Sequence, residues 1–163
     1  MRKACLVLAF SSLALPSRAQ EAAAPAPQDY VAGFLGTTLA YRPPGGSWAG
    51  WQHDATTLVG YGRQLTATVA LELDVGPAFV RGSYSSFSLT PGVVWSLHPN
   101  LYLAARFAIP VDPESNLVLL PGLGLSRAFG RVMPTLELNL ASAVGRGDPD
   151  LGLTLTAGLL VFF

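Results

Sequence analysis

Read backward from Phe163, every second residue of the C-terminal segment is apolar: Phe163, Val161, Leu159, Ala157, Leu155, Leu153 and Leu151. Between them lie Phe162, Leu160, Gly158, Thr156, Thr154 and Gly152, a face that is small and hydroxylic over most of its length. Alternation sustained this far is the mark of a β-strand with one apolar face. It recurs in Leu136, Leu138 and Leu140 against Thr135, Glu137 and Asn139, and in Leu101, Leu103, Ala105, Phe107 and Ile109 against Tyr102, Ala104, Arg106 and Ala108. Val69, Leu71, Leu73 and Val75 likewise alternate with Thr68, Ala70, Glu72 and Asp74.

Other periods are missing. No segment places apolar residues at 3.6 spacing over three turns, and no run of eighteen apolar residues offers a spanning helix. The chain of 163 residues is nevertheless 50% hydrophobic and only 12% charged, about half the charged fraction usual in soluble domains. Its length predicts one domain, and its zero formal net charge provides no basic field for nucleic acid.

A weak repeat of about thirty residues binds the strands into hairpins. Leu58–Leu65 leads into Thr66–Leu73, Pro91–Asn100 into Leu101–Phe107, and Pro121–Gly130 into Pro134–Leu138. Eight strands are predicted, over 30–41, 55–63, 66–75, 87–97, 101–111, 117–127, 133–144 and 151–163. Each is close to the 9–11 residues, roughly, that a tilted strand needs to cross a bilayer. Short turns alternate with longer polar segments at Arg42–Asp54, Gly76–Ser86, Asp112–Asn116 and Gly145–Asp150. The prediction is an all-β, antiparallel, up-and-down eight-stranded transmembrane barrel with short inner turns and longer outer loops.

A soluble barrel of the lipocalin sort also alternates, with the apolar face turned inward. Its exterior would then be the Gly, Ala, Thr and Ser face, which lacks the charge that a solvated surface normally carries. Small residues suit instead the crowded interior of an eight-stranded barrel.

The N-terminus supplies an address. Met1-Arg2-Lys3 precedes an apolar run from Ala4 to Pro16, and Ser17-Arg18-Ala19 places small residues where a signal peptidase reads. Residues 1–19 are therefore expected to be a signal peptide, 20–29 a short Pro/Ala-rich periplasmic spacer, and 30–163 the barrel. Cleavage would remove the single cysteine, Cys5, with Arg2, Lys3 and Arg18. Seven arginines, no lysine and ten acids would remain, near −3.

With a signal peptide, eight alternating strands and a last strand ending in Phe163, the chain resembles the small outer-membrane β-barrels of the OmpA/OmpX type. The resemblance covers the chain from about Tyr30 onward. It implies a location in the outer membrane of a Gram-negative envelope, contact with outer-membrane lipid and lipopolysaccharide, and a monomeric barrel. It also implies recognition by the barrel assembly machinery through the terminal aromatic and the alternate apolar residues before it, here Phe163, Val161 and Leu159.

Aromatic belts are expected at both interfaces, with Tyr61, Trp95 and Phe163 at the inner end and Tyr41, Phe87 and Phe107 toward the outer rim. Trp48 and Trp51 would join the belt if the second strand began early; otherwise they form an exposed loop patch.

Catalytic signals are thin. His53 and His98, the two histidines, fall on opposite sides of the expected membrane. The chain is accordingly read as no enzyme, with no cofactor or metal. A lipid-modifying barrel enzyme, using His53 with Ser47 or Ser83, is the third reading. Arg146-Gly147-Asp148 spells an adhesive tripeptide that a Gly/Asp-rich loop yields by chance. The acid pairs Asp112/Glu114 and Asp148/Asp150 could ligate Ca²⁺ but read first as solvated loop residues.

Strand parity supplies the remaining constellation. If the odd positions of the third and fifth strands face lipid, Glu72 and Arg106 face the lumen, and Glu137 does so from the seventh strand at similar depth. Charge on the lipid face there would cost about 2–4 kcal/mol, and an isolated buried Arg calls for carboxylate partners. The expected arrangement is a lumen ion-pair network that plugs the barrel. The role would then be structural or surface-interactive, through the outer loops. The alternative is a gate in a narrow channel or carrier for small or apolar solutes.

Overall fold

The computed structural model describes residues 28–111, 116–144 and 150–163. The expected signal peptide, most of the spacer, Asp112, Glu114 and the Arg146–Asp148 tripeptide lie outside these residues. Eight strands follow one another: β1 (Asp29–Arg42), β2 (Asp54–Gln64), β3 (Val69–Val80), β4 (Ser83–His98), β5 (Leu101–Pro110), β6 (Leu117–Ser126), β7 (Val132–Val144) and β8 (Leu151–Phe162). Each pairs antiparallel with the next, and β8 returns to pair with β1 from Tyr30↔Phe162 to Arg42↔Leu151. The sheet is a closed barrel, so no strand edge is left to pair with another chain.

The alternation read from the sequence is the inside–outside pattern of the wall. On β7, Thr135, Glu137 and Asn139 are buried while Leu136, Leu138 and Leu140 are exposed. On β5, Tyr102, Ala104 and Arg106 are buried while Leu103, Phe107 and Ile109 are exposed. The arrangement inverts that of a soluble protein: polar and charged side chains fill the centre, and leucine covers the surface.

Two strands depart from expectation. β3 runs to Val80 and β4 starts at Ser83, so the long outer segment expected at Gly76–Ser86 is instead a strand hairpin. Arg81 and Gly82 form its turn with φ of 51° and 78°, the two positive values that a type I′ hairpin turn requires. At the other end of β3, residues 65–68 make the turn and the strand begins at Val69 rather than Thr66. Both chain ends of the barrel and the turns at 65–68, 99–100 and 127–131 gather at one end, termed here the terminal end. The connections 43–53 and 81–82 lie at the far end.

The interior is filled by pairing large side chains with glycine. Tyr30 stands opposite Gly62, and Tyr102 opposite Gly124. A Cβ at either glycine would overlap the facing tyrosine ring. Phe34 lies against Gly158 in the same way. With Ala32 and Leu160, Tyr30 and Phe34 form the small apolar cluster of the lumen, supported by Leu58, Ala70, Met133 and Phe162.

Candidate functional site: a charged cluster in the lumen

Strand register brings Glu72 and Arg106 to one level. Glu72 on β3 is opposite Gly92 on β4, and Gly92 is opposite Arg106 on β5. Because Gly92 has no side chain, the guanidinium crosses the β4 backbone to reach the carboxylate. Arg106 donates from Nε and Nη2 to Glu72 Oε2 at 3.0 and 2.7 Å. Its Nη1 donates to Glu137 Oε1, on β7. The Tyr30 hydroxyl donates to the other Glu72 oxygen at 2.7 Å, and the Tyr102 ring lies beside Glu137. The structure thus joins Glu72, Arg106 and Glu137 by charge-assisted hydrogen bonds, which are stronger than neutral ones.

Asp74 is a fourth member that the sequence reading did not single out. It lies two residues from Glu72, hence on the same face of β3, and is 1% exposed. Its Oδ2 is 3.7 Å from Arg106 Nε, an ion-pair distance without a hydrogen bond. Parity alone placed it in the lumen. Its membership depends on the reach of Arg106, which the sequence does not encode.

Arg106 and Phe34 occupy the middle of the barrel, the guanidinium 5.8 Å from the ring centroid. Both line two separate cavities. One, of about 110 Å³, lies toward the far end among Thr37, Thr38, Thr56, Asp74, Asn139 and Thr154. The other, of about 240 Å³, lies toward the terminal end among Tyr30, Gln64, Ser96, Tyr102, Met133 and Phe162. Of the charged residues, Asp74 and Glu137 border the first and Glu72 the second.

The remaining predicted residues lie apart from this cluster. Leu159, Val161 and Phe163 are exposed on the outer face of β8 and just beyond it. Tyr61 and Trp95 are exposed toward the terminal end, and Phe87 and Phe107 are exposed in the other half. Tyr41 is displaced from the expected outer belt. An irregularity between Thr38 and Ala40 shifts the register so that Tyr41 faces Gly152, a buried position. One inserted residue exchanges the two faces of a strand, and the Tyr41 hydroxyl instead donates to Asp150 at the barrel mouth (3.0 Å).

β2 begins at Asp54, so Trp48 and Trp51 are loop residues rather than belt residues, each more than half exposed. Trp51 Nε1 donates to Thr37 Oγ1 at 2.8 Å, and its ring lies 4.4 Å from that of His53. His53 and His98 flank opposite ends of the barrel.

No family model matches the sequence, and no curated protein matches it. Solved structures do. The chain is similar to a barrel described as "De novo design of transmembrane beta-barrels", with a TM-score of 0.53 over 83% of this chain and 95% of that one. Identity is 11%. The likeness is therefore one of fold: eight antiparallel strands closed into a barrel, as in a barrel designed to cross a membrane.

Proposed function

We propose that this chain is an outer-membrane barrel with a sealed lumen, serving a structural or surface-interaction role through its outer loops. The observation that supports the reading is the cluster around Arg106 in the lumen, where Arg106 and Phe34 border both cavities. A barrel closed at its middle presents its loops, and the lipid it displaces, as its means of acting. The leucine-covered exterior supports the membrane assignment, since such a surface in water would be an association hazard. The strands, of ten to sixteen residues, suffice to cross the apolar layer. The predicted signal peptide supplies export, with the mature chain starting at Gln20. Outer-membrane lipid and lipopolysaccharide would surround the wall, and the barrel assembly machinery would insert it.

Single-cysteine labelling tests this arrangement, because Cys5 is the sole native cysteine and is lost on cleavage. Ser47→Cys, in the loop at the far end, should react with a membrane-impermeant maleimide on intact cells. Asn100→Cys, in a turn at the terminal end, should react only after the outer membrane is permeabilised. Labelling of both on intact cells, or recovery of the protein as soluble periplasmic material, contradicts the proposal.

A further inference from the structure

An eight-stranded barrel is just wide enough for side chains to fill it or for one small ligand to enter. Here a cavity of about 240 Å³ is left on the terminal side of Arg106. Gln28, Pro99 and Ala128, all exposed, form its mouth. Arg106 and Phe34, which also border the other cavity, lie at its inner end. Aromatic rings line it from both sides of the barrel. Tyr30 and Phe162, with ring centroids 5.1 Å apart, come from β1 and β8, and Tyr102 comes from β5, opposite β1 in the closed strand order. Ala70, Val94, Met133 and Leu160 add aliphatic surface. The polar groups deep in the cavity are already paired: the Tyr30 hydroxyl donates to Glu72, whose other oxygen accepts from Arg106. Gln28, Ser96 and Ser126, by contrast, sit at or beside strand ends near the mouth. Water therefore finds few partners in the deeper part, and displacing such water with an apolar group is favourable.

We propose that this cavity is a binding site for one small, uncharged aromatic molecule, inserted ring first with its polar edge toward the mouth. Apolar walls with a few polar groups are the usual makeup of small-ligand sites. The size fits: an engineered apolar cavity of about 150 Å³ admits benzene, so 240 Å³ leaves room for a fused bicyclic ring. Rings on opposite walls offer offset-stacked or edge-to-face contacts to a flat guest. Charge is selected against, because a buried ion needs a counter-charge. Arg106 spends its donors on Glu72 and Glu137, and both Glu72 oxygens are engaged, so neither an anion nor a cation finds a free partner on these residues. The space is also built into the wall. Gly62 and Gly124 let the Tyr30 and Tyr102 rings lie against the neighbouring strands, which keeps the space between them open. The inference concerns the terminal half of the lumen and goes beyond any role of the outer loops.

Met133 lines the cavity and is the only methionine besides Met1, so its methyl group is a single NMR reporter inside the site. The refolded mature chain, isotope-labelled at the methionine methyl, is placed in nanodiscs of a zwitterionic lipid. It is titrated with indole, and with tryptamine and indole-3-acetate as cationic and anionic counterparts. Indole should shift the Met133 resonance and saturate at one molecule per barrel, while the charged analogues should bind about tenfold or more weakly. Ala70→Phe, which fills the cavity from β3, should abolish the shift. If that variant does not fold, Ser96→Phe, nearer the mouth, should do the same. All variants share one lipid, so indole dissolved in the bilayer contributes equally to each. No shift, or a shift that rises without saturating, overturns the proposal. Persistence of the full shift in a folded variant overturns it too, as does binding of either charged analogue as tight as that of indole.

Discussion

Arg106 reaches Glu72 across a strand that separates them: the two bonds it donates to Glu72 pass over Gly92, and both end on one carboxylate oxygen. The arrangement needs the glycine as much as the charges. A Cβ at position 92 would overlap the Arg106 side chain. The cluster is thus built by three adjacent strands acting together, with Glu137 closing it from β7. Removing one member of such a buried set costs more than the set contributes, because the partners stay buried without their counter-charge.

Arg106→Ala should therefore destabilise the barrel by about 3–5 kcal/mol. Adding Glu72→Gln and Glu137→Gln should recover part of the loss, and adding Asp74→Asn should recover more, since all three carboxylates face Arg106. Urea unfolding in lipid vesicles measures each step. A quadruple variant no more stable than Arg106→Ala would mean that the charges are not coupled.

The glycine–tyrosine pairs should behave as steric locks. Gly62→Ala and Gly124→Ala force a methyl group against the Tyr30 and Tyr102 rings and should each cost about 1–3 kcal/mol. Gly33→Ala, whose Cβ would meet nothing within 4 Å, should be close to neutral. Tyr30→Ala combined with Gly62→Ala should cost less than the sum of the single changes, because the clash is then absent. Additive losses in unfolding experiments would count against the close packing.

Parity along the strands made eight strands, the inside–outside assignment and the approach of Glu72, Arg106 and Glu137 legible in the sequence. It failed where the chain changes phase. Tyr41 follows a register irregularity that exchanges faces, and no residue between Thr38 and Ala40 announces one. The β3–β4 hairpin was obscured because Gly76, Pro77, Gly82 and a run of serines carry turn chemistry. In the structure all but one of these residues lie in strands, and the turn is Arg81-Gly82, without the Asn or Asp usual at its first position. Asp74 was legible as a lumen residue, but which carboxylates an Arg contacts depends on side-chain reach across strands.

The outer wall offers a test of the solvent that surrounds it. Leu138 is exposed on β7, next to Leu123 and Leu155 on the neighbouring strands. Leu138→Arg should destabilise the barrel in vesicles by about 2–4 kcal/mol. On a water-facing surface the same change should lie within about 0.5 kcal/mol of neutral, so a near-zero value would contradict a lipid-facing wall.

The C-terminal residue should matter for insertion more than for the folded state. Phe163 is 66% exposed, so Phe163→Asp should change unfolding of the refolded barrel little. Outer-membrane yield in cells should fall, as the resemblance to small outer-membrane barrels implies. Equal yields of variant and wild type would dissociate Phe163 from assembly.

The sealed lumen is the central claim, and single-channel recording in planar bilayers reaches it most directly. The wild-type barrel should insert without discrete conductance steps. Arg106→Ala should stay silent as well, because Tyr30, Phe34 and Tyr102 still occupy the interior. A steady wild-type conductance, or a pore opened by Arg106→Ala, would contradict the account and identify the charged cluster as a gate.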